Sequence, residues 1–129
     1  MIKGEDKMGY RSDVSIRCER QIAKKIYGVI EDYQLTPSSI MYCTRDDSYT
    51  FHWEWIKWYP EFEEIGRIER ILDQSEGAYK FVRTGEDQSD IEERASEDGW
   101  DYPLYVVIYI ENDEHELIHV DKIEDAEGI

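Results

Sequence analysis

Residues 49–60 read YTFHWEWIKWYP. By period two, Tyr49, Phe51, Trp53 and Trp55 share one side and Thr50, His52 and Glu54 the other, the pattern of a strand with one face against a core. Rings at this density also serve as platforms for stacked bases, but such platforms sit in basic grooves. This chain has a formal net charge of −16, so the aromatic face is expected beneath helices, as core. Ile56, Trp58 and Tyr59 break the alternation. Trp58 is expected to be exposed, as a contact residue.

Working outward, residues 39–44 form a second strand-like run, and RDDS (45–48) between the two suits a tight turn, which makes 39–59 a hairpin. Pro60 ends it and opens a helix over 61–74, where Phe62, Ile65, Ile68 and Leu72 form one stripe. Upstream, Tyr10, Ser12, Val14, Ile16 and Cys18 alternate with Arg11, Asp13, Ser15 and Arg17, a half-buried strand. Residues 19–34 then carry Ile22, Ile26, Tyr27, Ile30 and Tyr33 at helical spacing until Pro37. After Gly77, AYKFVRT (78–84) returns as a strand. The chain is therefore expected to be α+β. Its order β-α-β-β-α-β is that of a ferredoxin-like antiparallel sheet with two helices on one face.

Residues 85–103 are too acidic and too poor in apolar side chains to pack alone, and are expected as an acidic surface loop with a short helical turn around Asp90–Arg94. LYVVIYI (104–110) and LIHVDKI (117–123) are C-terminal strands, joined at ENDE, that extend or cap the sheet. Residues 1–7 are expected as a disordered extension. A chain of 129 residues is one domain.

Charge is distributed unevenly. Residues 1–85 hold 15 acids and 13 bases, whereas residues 86–129 hold 16 acids against only Arg94 and Lys122, a net of −14. Direct binding to nucleic acid is disfavoured, because phosphate contacts need clustered lysine and arginine. A basic partner is favoured instead. No apolar run approaches the ~18 residues of a membrane span, and no secretory signal opens the chain, so a cytoplasmic location is expected. Cys18 and Cys43 are then free thiols on strands too far apart for a disulfide.

HELIH (115–119) matches H-E-x-x-H, in which histidines one helical turn apart hold zinc beside a glutamate base. The surrounding ELIHVDKI alternates like a strand, which would separate His115 from His119 by about 13 Å, beyond the reach of one ion. A zinc hydrolase is thus a remote alternative, and no metal or other cofactor is expected. The acids of GEDQSDIEE do not fit a calcium loop.

Three stretches carry a further meaning. MGYRSDV (8–14), WEWIKWY (53–59) and VRTGEDQSDIEE (82–93) resemble landmarks of a group of small acidic proteins carried by tailed bacteriophages. The resemblance spans roughly residues 8–110. It implies a phage origin and the cytoplasm of an infected bacterium, and it implies no particular reaction. With it, the charge points to a non-enzymatic protein that occupies the basic site of a host or anti-phage defence protein, imitating nucleic acid. The expected contact residues are Glu86, Asp87, Asp90, Glu92, Glu93, Glu97, Asp98, Asp101 and Trp58. The alternative is a small-ligand or nucleotide-sequestering module built on Arg11, Arg17 and Arg83.

Overall fold

The alternation that begins near Tyr10 becomes strand β1 (Ser12–Glu19), and the helical spacing after it becomes α1 (Arg20–Tyr33). Gln34 adopts a left-handed backbone (φ 55°), and the Leu35 N–H reaches back to the Ile30 carbonyl at 3.0 Å. That arrangement satisfies orphan carbonyls at a helix end. The hairpin β2 (Ser39–Cys43) and β3 (Ser48–Ile56) follows, then α2 (Glu63–Gln74), β4 (Tyr79–Gly85), β5 (Ile91–Ala95), a short 3-10 turn (Glu97–Asp101) and β6 (Leu117–His119). The computed structural model describes residues 9–102, 104, 117–121 and 123. The expected extension over 1–7, and most of the strand expected over 104–110, lie outside those residues.

The protein is α+β: among the described residues, six antiparallel strands form one sheet in the order β5-β4-β1-β3-β2-β6, with two helices. Of the two strands outside the β4-β1-β3-β2 group, β6 falls within the C-terminal strand expected over 117–123, and β5 lies where a loop was expected. β6 joins the edge of β2, with Met41 opposite His119. β5 joins the edge of β4, with Lys80 opposite Ala95 and Thr84 opposite Ile91. The acidic loop and helical turn expected there are therefore corrected to a hairpin arm. Alone, residues 91–95 cannot bury enough apolar surface to order themselves. The unpaired backbone edge of β4 supplies the hydrogen bonds that do so. The 3-10 turn then folds back onto β4: Ser96 Oγ accepts the Tyr79 N–H at 2.9 Å. Gly99 lies so close to the Tyr79 carbonyl that no Cβ would fit.

Val14, Ile16 and Cys18 of β1, Phe51 and Trp53 of β3, and Phe81 of β4 form one buried cluster with Ile22, Ile26 and Ile30 of α1 and Ile65, Ile68 and Leu72 of α2. The aromatic face thus packs under the helices, as the period-two reading expects, with one exception. Trp55 is 57% exposed. A bulge sets Ser12 opposite Ile56 but Val14 opposite Trp53, so two residues of β3 stand against Asp13 and the parity resets. Trp55 takes a left-handed backbone, φ 57°.

The opposite face is less open than a half-buried strand implies. Ser15, Arg17, Thr50, Lys80 and Val82 are all buried, as is Leu104. Arg17 Nε donates to Ser48 Oγ at 3.0 Å and Nη2 to Asp46 at 3.1 Å, and the Tyr102 ring lies 5.1 Å from its guanidinium. Among the described residues, no helix is long and apolar enough to cross a membrane.

Candidate functional site

At the end of the sheet where β4 turns into β5, the backbone reverses through residues 86–90. The Gly85 N–H reaches the Asp90 carbonyl and the Asp90 N–H the Asp87 carbonyl, both at 2.8 Å. Asp87 braces this turn by accepting from the Ser89 N–H at 2.9 Å and the Ser89 hydroxyl at 2.8 Å. Those two bonds hold its carboxyl below the usual carboxylate range. Glu86 accepts the Arg11 N–H at 2.7 Å and so ties the turn to the start of β1.

Asp90 is the hub. Arg83 clamps it with both terminal nitrogens, at 2.8 and 3.1 Å, and the Tyr10 hydroxyl donates to it at 2.7 Å. The Arg83 hydrogen bonds outweigh the burial that opposes them, so the Asp90 carboxyl is held low. Burial pushes the Tyr10 phenol up, and the neighbouring Asp90 charge adds to this. Glu92 bridges two arginines, accepting from Arg83 Nε at 3.1 Å and pairing with Arg94 Nε at 2.9 Å. Arg94 also reaches Glu69 of α2 at 2.6 Å, and its guanidinium lies 4.2 Å from the Phe81 ring centroid.

These groups line one side of a cleft of about 750 Å³, whose remaining wall is Tyr10, Trp58, Tyr59, Pro60 and Glu61. Tyr10 and Tyr59 lock together: the Tyr10 N–H donates to Tyr59 Oη at 2.7 Å, and the Tyr59 hydroxyl returns a bond to the Tyr10 carbonyl at 2.9 Å. Gly85 lies beneath the Tyr10 hydroxyl and Asp90, with no room for a side chain. MGYRSDV supplies Tyr10, WEWIKWY supplies Trp58 and Tyr59, and VRTGEDQSDIEE supplies Arg83, Asp87, Asp90 and Glu92. Stretches far apart in sequence thus wall one cleft.

The nine expected contact residues do not all meet. Glu86, Asp87, Asp90 and Glu92 gather around Tyr10 and Arg83, and Glu92 shares the helix face with its partner Arg83. Glu93, paired with Val82, faces the opposite way and is exposed. Glu97, Asp98 and Asp101 are exposed on the 3-10 turn at the far end of β5. Trp58 is corrected from exposed contact to buried wall: it is 6% exposed. Its indole N–H donates to Glu69 at 2.8 Å, and its ring lies 5.5 Å from Trp53 and 5.9 Å from Phe81.

The three arginines of the alternative reading do not converge. Arg83 is in the cleft, Arg17 is buried beneath the opposite face, and Arg11 bonds the Trp55 carbonyl at 3.0 Å. His119 lies on a strand, not a helix, and His115 lies outside the described residues. Tyr10, Tyr59 and Glu69 were not expected at a site. A run of alternating residues does not announce that its first tyrosine will meet an aspartate eighty positions later.

No protein-family model matches the chain, and no curated protein or solved structure does.

Proposed function

We propose that this chain is a non-enzymatic bacteriophage protein that binds and inhibits a basic host or anti-phage defence protein in the infected cytoplasm, by imitating the charge of a nucleic acid. One observation carries the reading: residues 86–129 have a net charge of −14, and a folded arm displays part of it at the edge of the sheet, with Glu86, Asp87, Glu93, Glu97, Asp98 and Asp101 all exposed. Carboxylates on a rigid edge attract a lysine- and arginine-lined groove over long range and speed encounter. In the same reading, the inner order β4-β1-β3-β2 with two helices is a ferredoxin-like unit to which β5 and β6 are added.

The test begins with affinity capture from infected cells and identification of the retained proteins by mass spectrometry. Association rates are then measured for the parent and two variants, one neutralising Glu86, Asp87 and Glu93, the other Glu97, Asp98 and Asp101, as Gln or Asn. Loss of association rate in either variant, mimicked by added salt, supports the reading, because such attraction is screened over about 8 Å at physiological ionic strength. A partner bound equally tightly by both variants at low salt overturns it.

A further inference from the structure

The order β5-β4-β1-β3-β2-β6 leaves β5 at one side of the sheet, and among the described residues no strand lies beyond it. The bonds at its two ends fix its backbone phase. The Gly85 N–H donates to the Asp90 carbonyl at 2.8 Å, and the Ser96 N–H to the Tyr79 carbonyl at 3.1 Å. In an antiparallel ladder the residues that bond the neighbouring strand recur at every second position, so Glu92 and Arg94 turn their N–H and C=O groups to β4. Ile91, Glu93 and Ala95 turn theirs away from the sheet. Each presents one N–H and one C=O with no strand among the described residues to receive it, and such an edge is a template for strand addition.

The side chains along this edge define what pairs with it. Ile91, Glu93 and Ala95 share the face away from the helices by alternation. Ile91 is 44% exposed, and Glu93 is exposed between it and Ala95. Exposed acids continue past both ends, Glu86 and Asp87 before β5 and Glu97, Asp98 and Asp101 after it. A second copy of the chain fits poorly. The self-pairing that overlaps all of β5 through its outward groups sets Glu93 directly opposite its own counterpart, where like charges destabilise a pair, and each chain carries a net charge of −16. A strand with lysine or arginine opposite Glu93, and apolar residues opposite Ile91 and Ala95, removes both objections. We propose that β5 binds an extended basic segment of the partner protein as an added antiparallel strand, with a lysine or arginine opposite Glu93. The proposal rests on the reading under "Proposed function" and adds to it how the partner is held: charge brings the segment to the edge, and the backbone ladder fixes its register.

The probe is the nine-residue peptide Lys-Thr-Val-Thr-Lys-Thr-Val-Thr-Lys, in which the central lysine and both valines share one face. Three counterparts accompany it: one with glutamate at the centre, one N-methylated at both valines, and one N-methylated at the two threonines beside the central lysine. Each is titrated into the ¹⁵N-labelled full chain, and amide exchange is read at saturation. The parent peptide should slow exchange of the Ile91, Glu93 and Ala95 amides and leave those of Glu92 and Arg94, already bonded to β4, unchanged. Methylation at the valines removes N–H groups that face β5 and should weaken binding about tenfold or more. Methylation at the threonines alters N–H groups that face solvent and should leave affinity unchanged. The glutamate-centred peptide should bind about fivefold more weakly, and Glu93→Lys should reverse that preference.

Equal loss from both methylation patterns, unprotected edge amides, or a glutamate-centred peptide bound as tightly as the parent would each overturn the assignment. Protection of the same amides without peptide, in a sample of dimeric mass, would give the edge to a second copy and overturn it too. If the parent peptide binds at low salt through Glu97, Asp98 and Asp101 alone, strand addition fails and the charge-based reading stands. If it does not bind at all, both fail.

Discussion

Arg83 grips Asp90 with both arms of its guanidinium, Nη2 to Oδ1 at 2.8 Å and Nη1 to Oδ2 at 3.1 Å. The pair joins the end of β4 to the start of β5, and Tyr10 adds β1 through its hydroxyl. An acidic arm that would otherwise repel itself is thereby pinned at its root.

Replacing Asp90 with Asn should therefore destabilise the fold by an amount on the order of 1 kcal/mol, small because the carboxylate is partly solvated and Arg83 retains Glu92. The pH dependence has a definite sign. The folded-state Asp90 carboxyl lies below its ordinary value of 3.8, chiefly through the Arg83 hydrogen bonds. Its contribution is thus present above the unfolded pKa and lost as pH falls through the folded one. Urea midpoints of the parent and Asp90→Asn should differ steadily from neutrality to about pH 5 and converge below about pH 4. A gap that widens in acid would contradict the pairing.

Gly85→Ala tests the floor of the cleft. The added methyl would collide with the Tyr10 hydroxyl and Asp90, so one of them must move, at a cost of about 1 to 3 kcal/mol. The check is a denaturation curve together with the Tyr10 ring resonances. An unchanged midpoint with unmoved Tyr10 resonances would show that the tyrosine does not lie over the glycine.

Trp53 and Trp55 should respond differently to truncation, although they are two residues apart on one strand. Trp53→Ala removes a buried ring that packs on Phe51 and Trp58, and should destabilise by about 3 to 5 kcal/mol. Trp55 is exposed with φ 57°, a conformation that glycine adopts without steric penalty. Trp55→Gly should leave stability unchanged or raise it by up to about 1 kcal/mol. Guanidinium midpoints of the two variants decide the matter, and a large loss in Trp55→Gly would remove the bulge.

The thiols give a chemical check on the strand order. Cys18 shares the helix face with Tyr49, whereas Cys43 pairs with Ser48 on the other face, so the sheet itself lies between them. Both are buried and free, and burial pushes the Cys18 thiol well up. In the native protein, Cys18 should react with an aromatic disulfide reagent orders of magnitude more slowly than an exposed thiol. After unfolding without reductant, two thiols should titrate. A monomer with none would require a different sheet.

Part of this architecture was legible because it depends on local periodicity. Period two over 49–53, period 3.6 over the helix stripes ending at Leu72, and the stops at Pro37 and Gly77 are written in neighbouring residues. The α+β class and the element order up to β4 follow from them. The charge asymmetry was legible for the same reason, since it is a property of composition.

The rest depended on contacts between distant residues. Residues 91–95 have no strand signal strong enough to outweigh their acids, and the vacant edge of β4 makes them one. Trp58 reads as surface until Glu69 of α2 takes its indole N–H. Trp55 reads as core until the bulge opposite Asp13 turns it outward. Whether the acids form one patch is not written in the sequence; the length of β5 separates Asp90 from Asp98, and Arg83 neutralises the nearer group. Sequence by itself determined the elements and the sign of the field, because propensity, periodicity and charge are carried residue by residue. Only the tertiary structure decided which carboxylates are spent on arginines, which rings are walls and where the cleft lies, because side chains meet there only once the sheet brings β1, β3, β4 and β5 to a common end.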